Sequence, residues 1–248
     1  MECAAGHGCR RTRGHRLLST AVVMVNRLTN KEKIGEILGL VCLVFGSGLA
    51  MAGEVSVFVT DADGQPVPNV VVFIDQSGAA MDLQHRPDAA VMDQRDVSFV
   101  PHILVVQKGS TVEFPNSDVV AHHVYSFSRP NNFVLPLYKG TSPDPVTMTH
   151  DGVVTLGCNI HDGMLGYIVV VETNVFGKTD SAGVASLRVD DSASDYGINI
   201  WSPRIRDSKE SLVQNVSVIP VDGVSFNLQK SLRPAHIDQS GAVAWDDY

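Results

Sequence analysis

Three potential metal ligands lie at intervals of three residues in the segment LGCNIHDGMLGY, residues 156–167. They are Cys158, His161 and Met164. A thiolate, an imidazole and a thioether are soft or borderline ligands, and they suit a transition metal better than Mg²⁺ or Ca²⁺. A C-x2-H-x2-M pattern alone occurs in many loops by chance. The surrounding sequence therefore has to distinguish a metal loop from an ordinary turn between two strands.

The N-terminal segment has the pattern of an export signal. From Met24 the chain reads MVNRLTNKEKIGEILGLVCLVFGSGLAMA, with basic residues first, then a short apolar run and a final A-M-A. This order is typical of a secretory signal peptide, and the run is shorter than the roughly 20 residues of a membrane span. We predict a start at Met24 after an upstream extension, cleavage after Ala52, and a periplasmic or secreted protein without stable membrane insertion. An uncleaved anchor is the alternative.

Charge and cysteine content change when residues 1–52 are set aside. The Lys and Arg total falls from 19 to 12 and the Asp and Glu total from 27 to 24, which gives a net charge of −12. Such an acidic chain is not expected to bind nucleic acid. Of the four cysteines only Cys158 remains, so no internal disulfide can form. A lone thiol in an exported protein is either buried and inert or a metal ligand.

Short strands are predicted almost everywhere after Gly53. Segments such as VSVFVTDADGQPVPNVVVFID, HILVVQKGSTVEF and GVVTLGCNIHDGMLGYIVVVE alternate apolar and polar residues between Gly, Pro and Asp turns. This period of two is a strand and hairpin signal, and no long stretch has the period of a helix. The pattern predicts an all-β protein built from sandwiches, with the C-x2-H-x2-M loop between two of the strands.

The missing fourth ligand is expected from the segment FPNSDVVAHHVYSFS, about 36 residues upstream of the cysteine. It offers His122 and His123, and because adjacent strand residues point to opposite faces, only one of them can face the site. Two imidazoles and one thiolate with a weak axial thioether form the type 1 copper site of electron-transfer proteins. The sequence thus contains every ligand type of such a site.

The segment from about Asp93 to Val171 resembles a cupredoxin, the blue-copper Greek-key β-sandwich of plastocyanin and amicyanin. The resemblance lies in VVQKGSTVEFPNSD, a following histidine, and C-x2-H-x2-M before a terminal strand. It implies one type 1 copper ion held by His122, Cys158, His161 and Met164. His122 takes the first role because it lies six residues after Asn116. His123 stands where the family usually has asparagine, which leaves it as an alternative ligand.

A second, smaller β-sandwich is predicted around the first. The segments VSVFVTDADGQPVPNVVVFID and GKTDSAGVASLRVDDSASDYGINIWSPRI resemble two halves of a transthyretin-like or carboxypeptidase-regulatory-like domain. We predict that residues 53–80 and 173–235 form this domain, that the cupredoxin of residues 81–172 is inserted into it, and that residues 236–248 are a tail. Packing of the domains one after the other along the chain is the alternative.

The expected function is one-electron transfer between protein partners in the exported compartment, and no enzyme activity is predicted. No serine lies in a G-x-S-x-G context. The resemblance implies that His161 reaches the surface through an apolar patch formed by Met164, Leu165 and the segment 135–137. Two alternatives stay open: copper binding or carriage without redox turnover, and a structural sandwich with a vestigial site. The oligomeric state is not predicted. His102 is expected at the surface or an edge, and Asp118 is expected to be a turn former.

Overall fold

The computed structural model describes residues 52–77, 89–190, 193, 195–206 and 212–235. The predicted signal segment, most of the connector after residue 77 and the tail from residue 236 lie outside these residues. All the regular structure described is β-strand, as predicted. Among the described residues, no helix is long and apolar enough to cross a membrane.

Seventeen strands make up the described part of the chain, and their bounds are β1 Ala52–Thr60, β2 Val71–Ser77, β3 Ala90–Val91, β4 Asp93–Arg95, β5 Ser98–Val100, β6 Ile103–Gln107, β7 Thr111–Glu113, β8 Val124–Ser126, β9 Phe133–Val134, β10 Val146–Thr147, β11 Gly152–Cys158, β12 Leu165–Val171, β13 Phe176–Lys178, β14 Val184–Asp190, β15 Asp195–Trp201, β16 Leu212–Val216 and β17 Val224–Asn227. Their hydrogen bonds form three-stranded sheets β14-β1-β17 and β10-β7-β3, a five-stranded sheet β6-β12-β11-β8-β9, a four-stranded sheet β13-β2-β15-β16, and the hairpin β4-β5.

One hydrophobic cluster joins the sheet β14-β1-β17 to the sheet β13-β2-β15-β16. Alternate residues of β1 and β2, such as Val55, Val57, Val72 and Ile74, are buried in this cluster. β1 pairs antiparallel with β14 and parallel with β17. The strands before and after residues 93–171 therefore share one core, in the regions where the second sandwich is expected. The proposed domain boundaries themselves remain a prediction.

A second cluster joins the sheet β10-β7-β3 to the five-stranded sheet. Phe99, Phe114, Leu156 and Ile168 are among its buried members, and Cys158 and Met164 belong to the same cluster. In the five-stranded sheet, β12 is antiparallel to β11 and parallel to β6. Two facing sheets over one core agree with the sandwich that the resemblance implies for this segment.

A third cluster lies where the four-stranded sheet meets the five-stranded sheet. It contains Val71, Ile103, Val169, Val171 and Trp201. Because side chains alternate along a strand, β12 directs Ile168 into the cluster of Phe99 and Phe114 and its neighbour Val169 into this one. The strand that follows the C-x2-H-x2-M loop is therefore buried on both faces.

Gly166 allows Phe99 to lie against β12 next to the metal loop. A Cβ atom at Gly166 would lie 2.8 Å from Phe99 Cβ, so Gly166→Ala should cost about 1–3 kcal/mol through overpacking. Gly197→Ala in β15 is the matched control, since its Cβ would lie 3.4 Å from the nearest atom. Denaturant titration of both variants checks this, and equal stability would contradict it.

Candidate metal centre

The loop between β11 and β12 carries three of the predicted ligands. Cys158 is the last residue of β11, and Met164 directly precedes β12. β11 and β12 are paired up to Gly157 and Leu165, so the hairpin closes immediately beside the loop. The Met164 N–H donates to the His161 carbonyl at 3.3 Å. The ligand loop is thus a short connection fixed at both ends by the sheet.

The backbone of His122 is held by a separate segment of the chain. His122 and Tyr138 exchange two backbone hydrogen bonds, each of 3.0 Å. The side-chain amide of Asn116 donates to the Val120 and Tyr138 carbonyls, both at 3.0 Å. Val124, two residues after His122, pairs directly with Cys158 across β8 and β11. These bonds bring the His122 side chain to the cysteine.

Ring atoms of His122 and His161 and the sulfur of Cys158 meet at one point. Cys158 Sγ lies 3.7 Å from His122 Nδ1 and 3.5 Å from His161 Nδ1, and the two Nδ1 atoms are 3.1 Å apart. The centre of a triangle with these sides is about 2 Å from each corner, close to the length of metal–imidazole bonds in proteins. Two imidazoles and a sulfur around a central point fit copper by both donor type and spacing.

Met164 and His123 take different positions relative to this triangle. Met164 is 4% exposed and packs in the same hydrophobic cluster as Cys158. His123 is not part of the cluster of metal-ligating side chains. Its carbonyl instead accepts a 3.0 Å hydrogen bond from the Asn159 N–H. The two ligand-bearing segments are therefore tied by backbone atoms, which do not require an asparagine at position 123.

Asp118 contacts the ring of His122, which the sequence did not predict. Its carboxylate lies 3.0 Å from His122 Nε2, and the side chains of His122 and Asp118 are 0% and 4% exposed. Burial alone would raise the pKa of Asp118, but hydrogen bonds from the Val97 N–H, from His122 and from the Val119 N–H outweigh it and lower that pKa. The expectation of a mere turn former is thus incomplete. No spacing pattern indicated this contact, because the segment between Asp118 and His122 is not a helix.

Tyr138, the residue bridged to His122, is anchored from the core side by its own hydroxyl. Its hydroxyl donates to the Phe114 carbonyl at 2.7 Å. Burial raises the pKa of Tyr138 to about 12, a hydrogen bond with Gln94 opposes this rise, and the charges of Asp93 and Cys158 add to it. The phenol is therefore a neutral donor at physiological pH, and it fixes the backbone that holds His122.

A cavity of about 480 Å³ opens beside the triangle. Its lining includes Cys158, His161, Met164, Tyr125 and Phe127. Exposed apolar side chains occur on the segments that carry the ligands: Ile160 is 49% exposed, Leu137 60% and Val119 81%. These exposed residues differ in part from the apolar patch that the sequence predicted, because Leu135 and Met164 are buried rather than at the surface.

The sequence placed His102 at the surface or at an edge, and of these the surface position is wrong. His102 is 4% exposed, and its ring lies edge-on to Tyr167 with the ring centroids 5.5 Å apart. It directly precedes β6, the outer strand of the five-stranded sheet, which agrees with the expected edge position. Its ring packs against Tyr167, and it is not part of the metal-ligating cluster.

The sheets and the ligand arrangement together characterise residues 90–171. Two sheets face one core, a histidine precedes β8, and a C-x2-H-x2-M loop joins the last two long strands. This segment has a cupredoxin-like fold. The strands outside it add two further sheets around their own core.

Solved structures of cupredoxins align with part of this chain. A mutant of amicyanin in its reduced Cu(I) form at pH 4 is 22% identical, covers 40% of this chain and 98% of its own, and has a TM-score of 0.32. The Cu(I) form of another amicyanin mutant is 25% identical with the same coverage and TM-score. A purple cupredoxin from Nitrosopumilus maritimus is 22% identical over 34% of this chain and 100% of its own, with a TM-score of 0.30. No family model and no curated protein matches the chain.

The stability of this region should depend on pH through Asp93. Burial would raise the pKa of Asp93, but hydrogen bonds from Gln94, Ser117 and Arg95 outweigh it and lower that pKa. Its contribution to stability is then present above the unfolded-state pKa, about 3.9, and is lost as pH falls through the lower folded-state pKa.

Asp93→Asn should therefore be less stable than the wild-type protein near neutral pH, and its stability should fall less steeply below about pH 4. Urea unfolding midpoints measured between pH 3 and pH 7 check this. Parallel pH curves for the two proteins would show that Asp93 contributes nothing to acid sensitivity.

Proposed function

We propose that the protein binds one copper ion in a type 1 site and carries single electrons between protein partners. The observation that carries this proposal is the triangle of His122 Nδ1, Cys158 Sγ and His161 Nδ1. Its donor set is that of blue-copper sites, in which copper cycles between Cu(I) and Cu(II). Met164, packed beside Cys158, is proposed as the weak axial ligand that tunes the reduction potential.

The scaffold supports rapid cycling because the ligands have little freedom to move. Cys158 is at the end of a paired strand, and His122 is bonded through both backbone groups to Tyr138. A site held in one geometry avoids reorganisation when its charge changes. Redox turnover is therefore favoured over simple copper carriage, because a carrier needs a site that can open and release the ion.

His161 is the proposed exit for the electron. His122 is fully buried. His161, in contrast, lies in the loop that carries the exposed Ile160, and it lines the open cavity. Contacts between redox partners are small and transient. The exposed apolar residues beside His161 are thus a suitable surface for a protein donor or acceptor. The export predicted for the chain would place this exchange in the periplasm or outside the cell.

The visible spectrum of residues 53–248 with one equivalent of Cu(II) tests the site. We expect an intense thiolate-to-copper band in the spectrum and, by voltammetry of the same sample, a reversible reduction wave. The band should be lost in Cys158→Ser, because the copper–thiolate bond is its source. His123→Ala is the matched control and should keep the band, since His123 lies outside the triangle. Copper binding with a pale spectrum would replace redox transfer by an ordinary imidazole site, and no binding would leave a structural sandwich.

Replacement of the thioether should change the reduction potential rather than the colour. Met164→Leu retains an apolar side chain at a buried position, so folding should change by less than about 1.5 kcal/mol. Loss of a weak axial donor should raise the potential while the thiolate band persists. Voltammetry of the wild-type and variant proteins measures this, and identical potentials would remove Met164 from the ligand set.

A further inference from the structure

The hairpin β4-β5 has an unusual turn. Its strands pair Arg95 with Ser98, so Asp96 and Val97 form a two-residue turn. Both have positive φ angles, of 47° and 57°. This turn type is normally made by Asn-Gly or Asp-Gly, and a β-branched residue at positive φ is an outlier. Such strain persists only where the surroundings impose it, and it occurs preferentially at functional sites.

The backbone of this turn bonds to the residue that holds His122. The Val97 N–H donates to Asp118 Oδ2 at 2.7 Å, and the same oxygen lies 3.0 Å from His122 Nε2. The other oxygen, Asp118 Oδ1, accepts the Val119 N–H at 2.6 Å. One buried carboxylate thus connects the strained turn to the histidine ring.

The hairpin is also attached to the segment just before Asp118. The Ser117 N–H lies 3.1 Å from the Gln94 carbonyl and 3.2 Å from Asp93 Oδ1. In turn, the Val97 side chain packs against the hydrophobic cluster that contains Cys158. The turn and the Asp118 segment are therefore connected by several contacts, of which the hydrogen bond from the Val97 N–H to Asp118 is one.

The bond to Asp118 determines which nitrogen of His122 carries the proton. A carboxylate only accepts hydrogen bonds, so the bond requires a proton on Nε2. In a neutral imidazole the other nitrogen is then an acceptor. That nitrogen, Nδ1, is the atom directed at Cys158 Sγ. The arrangement therefore keeps the lone pair of His122 directed toward the centre of the triangle.

We propose that the β4-β5 hairpin positions His122 for its metal: the Asp96–Val97 turn aims the Val97 N–H at Asp118, and Asp118 holds His122 with Nδ1 directed at Cys158. The proposal rests on the proposed copper site for its functional consequence. The positioning itself is a property of the metal-free chain. Asp118 and Val97 are positioning residues, and neither needs to contact the metal.

Nitrogen-15 NMR of the His122 ring in metal-free protein tests the positioning. The wild-type protein should show a single tautomer with the proton on Nε2. Asp118→Ala should show a mixture of tautomers, and so should a variant with one glycine inserted between Asp96 and Val97. Val97→Gly is the matched control, because it keeps the N–H at a positive φ, and it should retain the single tautomer. An unchanged tautomer in Asp118→Ala would overturn the proposal.

Copper measurements test the consequence. Asp118→Ala and the glycine insertion should each lower Cu(II) affinity by about 10–100-fold, and the two changes combined should lower it no further. Asp118→Asn keeps an accepting oxygen without the charge, so it should keep the tautomer and raise the reduction potential. Additive losses, or an unchanged affinity, would overturn the proposal. If the wild-type protein binds no copper, the proposed function fails, while the NMR result still decides the positioning.

Discussion

The structure around the site depends on one constraint: two imidazoles and a thiol, from segments 36 residues apart in the chain, have to meet in a largely buried place. Burial of such groups costs free energy unless they have partners. A fully buried histidine needs an acceptor for its second nitrogen, and Asp118 provides it. The carboxylate in turn needs donors, which come from backbone N–H groups at Val97 and Val119. The surrounding loops thus supply a hydrogen-bond partner to each of these buried groups.

The remaining sheets contribute rigidity to the same site. β12 starts immediately after Met164 and is covered on one face by the core under the site and on the other by the four-stranded sheet. A strand buried on both faces cannot change register without exposing a whole row of apolar side chains. The contact of Tyr167 with Trp201, with ring centroids 5.5 Å apart, joins the two sheets directly. The second core thus has a physical role for the site, although it supplies no ligand.

The sequence predicted the β class from the alternation of apolar residues, and it placed Cys158 and His161 together through their spacing in one loop. Alternation along the strand left His122 and His123 open as the other imidazole, and the choice of His122, which lies 36 residues from Cys158, came from the cupredoxin resemblance. The sequence did not predict the roles of Asp118 and the Asp96–Val97 turn. The bond between Val97 and Asp118 joins residues 21 positions apart, and nothing in their types distinguishes it from ordinary turn chemistry. The burial of His102 was not predicted for a similar reason, since it involves packing of its ring against Tyr167, 65 residues further along the chain. Contacts of this kind depend on tertiary structure and leave no periodic signal.

The two histidines of the triangle are held in different ways, and this difference has a consequence for the proposed electron transfer. His122 is fixed through its backbone by Tyr138 and through its ring by Asp118, all within the protein. His161 belongs to a short loop beside an open cavity and next to the exposed Ile160. In the proposed copper site, a fixed inner ligand keeps the geometry constant between the two oxidation states. The outer ligand can then make contact with a partner without disturbing that geometry. Because these requirements are met by different histidines, residues around His161 can vary with the partner while the Asp118 arrangement preserves the site.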